Sequence, residues 1–142
     1  MQWVDHTDQV IGVAYQLQGL IINMENALRG HVNTGEEEFL QPYNEAKSTI
    51  DSRFEVLDRL VSDNPPQQAR LATIRSRFDQ WRISANDVIV RRQKNGVEDY
   101  ESTLQRKQLM DSIRAERSVF TATEERLRCT SVRSICPRWP KE

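Results

Sequence analysis

Apolar residues return every three or four positions through four long stretches of this chain, and short corners separate the stretches. That spacing marks one face of an amphipathic helix and excludes strands, whose buried residues alternate. The first stretch, from about Trp3 to Asn33, carries Trp3, Val10, Ala14, Leu17, Ile21, Met24 and Leu28. A second begins near Gly35 and uses Phe39, Tyr43, Ile50, Phe54, Leu57 and Val61. The third is lined by Leu71, Ile74, Phe78, Trp81, Ala85 and Val88. The fourth runs from about Asp99 to Arg128 through Leu104, Met110, Ile113, Phe120 and Leu127.

The corners carry the residues that helix ends require. Gly35 suits a sharp reversal, Thr34 and Glu37 fit a capping box, and Glu36, Glu37 and Glu38 place negative charge at the start of the next helix. Pro42 is tolerated in first turns, and farther in it bends a helix. Asn64 caps the third helix, Pro65 takes its first position, and Gln67 completes the cap. Asn95 and Gly96 stop it. Arg91, Arg92 and Lys94 then sit where basic groups complement the helix dipole. Helices of about 28 to 31 residues give a rod on the order of 45 Å long. Short corners make successive helices antiparallel neighbours. The expected fold is all-α: an up-down-up-down four-helix bundle with both termini at one end.

Composition suits that shape. A charged fraction of 29% beside an apolar fraction of 37% fits slender helices around a narrow core. The 142 residues suggest a single domain over 1–128, followed by an irregular tail, 129–142, with the look of foreign sequence. Both cysteines, Cys129 and Cys136, fall in that tail; a disulfide between them is possible but not readable from sequence. A net charge of −1 argues against general nucleic-acid binding. No apolar run reaches the roughly 18 to 20 residues that span a membrane, and no signal peptide is evident.

Nothing resembles a catalytic centre. His6 and His31 lie at opposite ends of the first helix, as surface or corner residues, and no Glu-x-x-His pair, phosphate loop or nucleophile turn occurs. No metal or cofactor is expected, and the chain reads as non-enzymatic. Aromatic residues at helical spacing, Phe78 and Trp81 facing Tyr43 and Phe54, read as core.

Two features remain. Val4, Ile11, Tyr15 and Ile22 form a second stripe on the first helix, roughly 120° from the main seam. It is either the edge of a wide buried face or the interface of a homodimer. Glu25 and Arg29 are one turn apart in the order that favours an ion pair. Arg117 and Glu124 take inward positions on the fourth helix, where charge needs partners or water. With Arg114, these residues form either a partly solvated structural network or a cluster that binds ligand or sets packing. Arg29, Arg114 and Arg117 suit a carboxylate or phosphate, and nothing in the sequence selects one.

The motifs also resemble a known family. Glu25-Asn26-Ala27-Leu28-Arg29-Gly30-His31-Val32-Asn33-Thr34-Gly35, followed by Phe39-Leu40-Gln41-Pro42-Tyr43, is similar to the first corner of the third class of CHASE domain. Trp3-Val4-Asp5-His6-Thr7 resembles the family's membrane-proximal start, and Asp63-Asn64-Pro65-Pro66-Gln67-Gln68 its second corner. Leu109-Met110-Asp111-Ser112-Ile113-Arg114, with Phe120 and Glu124, resembles its last helix. The likeness covers residues 3–128. It implies an extracytoplasmic sensor module of a histidine kinase, nucleotide cyclase or chemotaxis receptor. On that reading the chain is a fragment, dimeric like similar receptors, whose parent carries flanking transmembrane helices and answers an unknown small ligand or protein cue. The rival is a soluble helical scaffold that binds a partner helix along the first helix.

Overall fold

A computed structural model describes residues 2–96 and 99–131, with side chains over 6–96 and 99–129. Four helices account for nearly all of it: α1 (Gln2–Thr34), α2 (Gln41–Leu60), α3 (Pro65–Gln93) and α4 (Tyr100–Ser131), with a 3-10 turn at Glu37–Leu40. No strand occurs among the described residues. The fold is the all-α bundle that the spacing predicts.

Cross-helix contacts run in opposite chain order. Gln16 of α1 accepts from Arg53 of α2, while Gly30, farther along α1, lies against Phe39 in the turn that leads into α2. On α3 and α4, Gln67 bonds the Phe120 carbonyl while Ser84 meets Arg106. Asp8 and Arg128 pair at 2.8 Å, so the start of α1 lies beside the end of α4. We call that the near end, and the first corner the far end.

The core follows the sequence seams closely in α1 and α3. Val10, Ala14, Leu17, Ile21, Met24 and Leu28 are buried, as are Leu71, Ile74, Phe78, Trp81, Ala85 and Val88. Phe78 stacks on Trp81 at 5.7 Å between ring centroids, and Phe54 and Tyr43 approach them from α2 at 6.0 and 6.4 Å. Burial pushes the Tyr43 hydroxyl up to about 12, against the opposing effect of Arg82, and the hydroxyl donates to Asn86. Three expected core members, Phe39, Leu104 and Leu127, are instead substantially exposed. The side chains of Trp3 and Val4 lie outside the described residues.

The first corner departs from expectation. The capping box of Thr34 and Glu37 does not form, because Thr34 is the last residue of α1 and its hydroxyl donates to the Gly30 carbonyl and accepts from Glu36 N–H. The Glu37 carboxylate accepts from Gln93 at the end of α3 instead. Nor does α2 begin at Gly35. A helix from there would press the Pro42 ring into the carbonyl four residues back, so the chain tightens into a 3-10 turn and α2 starts at Gln41 with Pro42 in its first turn. Gly35 adopts φ +74° and its N–H closes on the His31 carbonyl at 2.7 Å. Arg92 reaches across from α3 to donate to the Val32 carbonyl, capping α1 rather than its own helix.

Elsewhere the end signals act as read. Asn64 accepts from Gln67 N–H ahead of Pro65. At the end of α3, Asn95 rather than Gly96 takes the left-handed conformation, φ 60°, and Gly96 N–H bonds the Arg91 carbonyl. Helix α4 continues through Ser131, three residues past the expected limit. Cys136 and the rest of 132–142 lie outside the described residues.

Candidate functional site

Helix α4 turns Arg106, Met110, Ile113, Arg117, Phe120 and Glu124 toward the other helices, at alternating intervals of four and three. Three of these six carry charge. Arg106 keeps only 6% of its surface and Glu124 only 3%, so two ionisable groups are buried where a bundle would ordinarily place apolar side chains. The polar seam divides the inner face of α4 into two polar zones.

The far zone is a groove of about 520 Å³ between α1, α3 and α4. Leu28 and Val32 of α1, Trp81 of α3 and Met110 of α4 give it an apolar floor. Charged lining comes from Glu25 and Arg29 on α1 and from Arg106, Lys107, Asp111 and Arg114 on α4. The Arg106 guanidinium donates to the hydroxyls of Ser84 (3.1 Å) and Thr103 (3.5 Å). Burial lowers its pKa, Asp87 works against that and Arg91 adds to it; an arginine nonetheless stays protonated in proteins. Asp111 accepts from Lys107 (2.8 Å) and Arg114 (3.0 Å), and these contacts, the Lys107 hydrogen bond foremost, hold its carboxyl below the usual range.

The expected Glu25–Arg29 ion pair is absent. Glu25 turns to Arg114 across the α1–α4 boundary at 3.9 Å, and Arg29, on the exposed flank of α1, has no ion pair among the described residues. A pairing along one helix surface is weak, and a cross-helix partner replaces it here. Arg117 borders a smaller recess beside the groove, with Glu25, Arg114 and Ile22. Burial lowers its pKa, as does neighbouring Arg114.

Glu124 belongs to a separate zone. Its Oε2 accepts from Gln67 Nε2 at 2.7 Å, and the same amide donates to the Phe120 carbonyl at 2.9 Å. The Gln67 oxygen in turn accepts from Arg70 at 2.7 Å. Burial raises the Glu124 pKa; the Gln67 hydrogen bond and His6 oppose this and Asp63 adds to it. Of the five polar residues singled out from sequence, Glu25, Arg29 and Arg114 thus meet in the groove and Arg117 borders it. Glu124 stands two turns farther along, roughly 10 Å away.

Sequence reasoning missed Arg106, Lys107, Asp111 and Gln67. A signal for Arg106 existed: it stands four residues before Met110 and seven before Ile113, in register with the seam. His31 was expected at a surface or a corner. It is at the corner but fully buried, its Nδ1 donating to the Glu36 carbonyl at 3.0 Å while Nε2 has no hydrogen-bond partner. No group of three metal-ligating side chains occurs among the described residues, and no described helix is long and apolar enough to cross a membrane.

On the second stripe of α1, Tyr15 is 54% and Ile22 43% exposed, and Ile11 is half-buried. Val4 carries no described side chain.

No curated protein and no solved structure matches the chain. The family model of the CHASE3 domain matches residues 1–132, which takes in the first four residues of the segment expected to be a tail. That match spans every described helix, and the chain therefore belongs to the CHASE3 domain family, the extracytoplasmic sensor modules of signalling receptors.

Proposed function

We propose that this domain senses a cue outside the cytoplasm and transmits it through a change in helix packing to a cytoplasmic output domain, a histidine kinase in the first instance. The parent receptor would carry transmembrane helices on both sides. The observation that carries the reading is the seam of α4. Apolar side chains that interlock resist sliding, because each ridge must climb out of its groove. A seam carrying Arg106, Arg117 and Glu124 is instead held in part by hydrogen bonds, Arg106 to Ser84 and Gln67 to Glu124, which a small shift can trade for other polar partners or water. Such a helix supports two packings, and a cue with unequal affinity for them shifts the balance. The 2.8 Å contact of Asp8 with Arg128 favours the same reading, since it brings the start of α1 and the end of α4 together.

The domain acts as a homodimer in this proposal, joined along Ile11, Tyr15 and Ile22, with Val4 continuing the stripe. Two large apolar side chains exposed at a seven-residue interval on one helix favour it. The test is a disulfide at Ile22→Cys between protomers of the parent receptor, with Cys129 and Cys136 changed to Ser. Locking the pair should fix kinase output at one level regardless of the cue. Output that stays responsive with every pair crosslinked would overturn the interhelical motion, and failure of the pair to crosslink would overturn the dimer.

A further inference from the structure

The polar zone toward the near end joins α3 to α4 through two side chains where an ordinary bundle core would carry apolar ones. Gln67 is fully buried in the first turn of α3, and Glu124, about two turns before Ser131 on α4, keeps 3% of its surface. Both hydrogens of the Gln67 amide are spent on α4, one on the Phe120 carbonyl at 2.9 Å and one on Glu124 Oε2 at 2.7 Å. The bond to a backbone carbonyl fixes where α4 sits along its axis. The Gln67 oxygen accepts from Arg70, so the amide cannot turn round without giving up that bond. Charged groups face Glu124 from each side. His6 of α1 favours its ionised form, and Asp63, in the turn between α2 and α3, disfavours it. Arg70 is committed to Gln67 and the Thr123 hydroxyl, and Arg128, one turn on along α4, is held by Asp8. Glu124 has no ion pair among the described residues, and burial outweighs the groups that favour its charge.

We infer that Gln67 and Glu124 form a proton-gated latch between α3 and α4, shut while Glu124 is neutral and released when it ionises. A neutral carboxyl still accepts from Gln67 through its carbonyl oxygen, so protonation keeps the bond and removes the buried charge. An ionised carboxylate at this depth needs more donors or water than the Gln67 amide supplies, and a shift of α4 outward provides them. The sign follows from the raised pKa. In the interval above 4.5 the latched state holds the proton, and a state with Glu124 in water has lost it. The latch is therefore firm at low pH and weakens as pH rises through the latched-state value. The pH of the medium around the domain becomes an input that acts on α4 directly. That last step rests on the sensor reading above; the latch rests on its own geometry.

The isotopically labelled 142-residue chain, titrated from about pH 3.5 to about pH 8 and followed by NMR, tests the latch. The Glu124 carboxyl carbon should titrate with a midpoint above 4.5, and the Gln67 side-chain amide should move with the same midpoint. Hydrogen exchange from Phe120 to Leu127, corrected for the intrinsic rate, should quicken across that interval. The gain should be about tenfold for each unit by which the midpoint exceeds 4.5. Glu124→Gln should hold protection at the low-pH level throughout. Gln67→Leu removes the hydrogen bond that favours the ionised form and should raise the Glu124 midpoint further; His6→Gln should raise it less. A midpoint at or below 4.5, a Gln67 amide indifferent to it, or a Gln67→Leu chain with the parent's midpoint would overturn the latch. So would a Glu124→Gln chain whose exchange still follows pH as the parent's does. The titration reads this chain and the crosslink reads the receptor, so the latch and the sensor mechanism fail separately.

Discussion

Glu124 shows what one buried carboxyl does to stability. Its pKa lies above the ordinary 4.5, chiefly through burial. In the window above 4.5 the unfolded chain has released this proton while the folded chain still holds it. Stability from Glu124 is therefore full below 4.5 and is lost as pH rises through the folded pKa. Glu124→Gln keeps an acceptor for Gln67 and removes the charge. Its midpoint should exceed that of the parent by a few degrees at pH 7 and match it near pH 4, by thermal unfolding at both pH values. A lower midpoint at pH 7 would mean that the charged hydrogen bond outweighs burial. Gly35 gives a second prediction at this scale. A side chain at φ +74° costs about 1–2 kcal/mol, and its Cβ would come within 2.7 Å of Arg92 Nη2. Gly35→Ala should lower stability by at least that much in urea titrations, whereas Gly19→Ala, where a Cβ meets nothing within 4 Å, should not.

At the scale of the helix, α4 is held differently from its partners. Arg117 is partly buried beside a recess that Ile21, Ile22 and Ile113 line together with Glu25 and Arg114, and replacing such a charge with an apolar side chain of similar length is often stabilising. Arg117→Leu should raise stability by about 1 kcal/mol and slow hydrogen exchange along α4, while reducing the response of the parent receptor to its cue. Faster exchange would refute the idea that the polar seam keeps α4 loose. The same seam explains what was legible in the sequence. Helices α1 and α3 were read almost residue for residue, because their inward positions bear apolar side chains apart from Thr7, His31 and Gln67. In α4 a search for apolar periodicity fell on Leu104 and Leu127, which face outward, and passed over Arg106, which faces in. The start of α2 was misplaced for another reason: local capping signals at Thr34 and Glu37 were outweighed by Pro42 and by contacts from α3. Long-range contacts such as Arg92 with Val32 leave no trace in local pattern.

For the whole molecule, the exposed stripe on α1 sets the expected assembly. A homodimer joined there should dissociate when Ile22 becomes Glu, with helix content unchanged, as sedimentation and circular dichroism would report. A monomeric parent chain at high concentration would refute the interface. The two ends of the rod are tied by different contacts. At the far end, His31, Gly35, Arg92 and the Glu37–Gln93 contact tie α1, the first corner and α3 into one knot, and the groove lies close by. Toward the near end, Asp8 pairs with Arg128 across α1 and α4, and Gln67 bonds Glu124 and the Phe120 carbonyl across α3 and α4. With the far-end knot taken as fulcrum, α4 is a lever arm. From Arg106 to Ser131 is 25 residues, roughly 37 Å of helix. A wedge that opens α1 from α4 by about 2° beside the fulcrum moves the end of α4 by roughly 1 Å, the scale of helix shift on which allosteric interfaces repack.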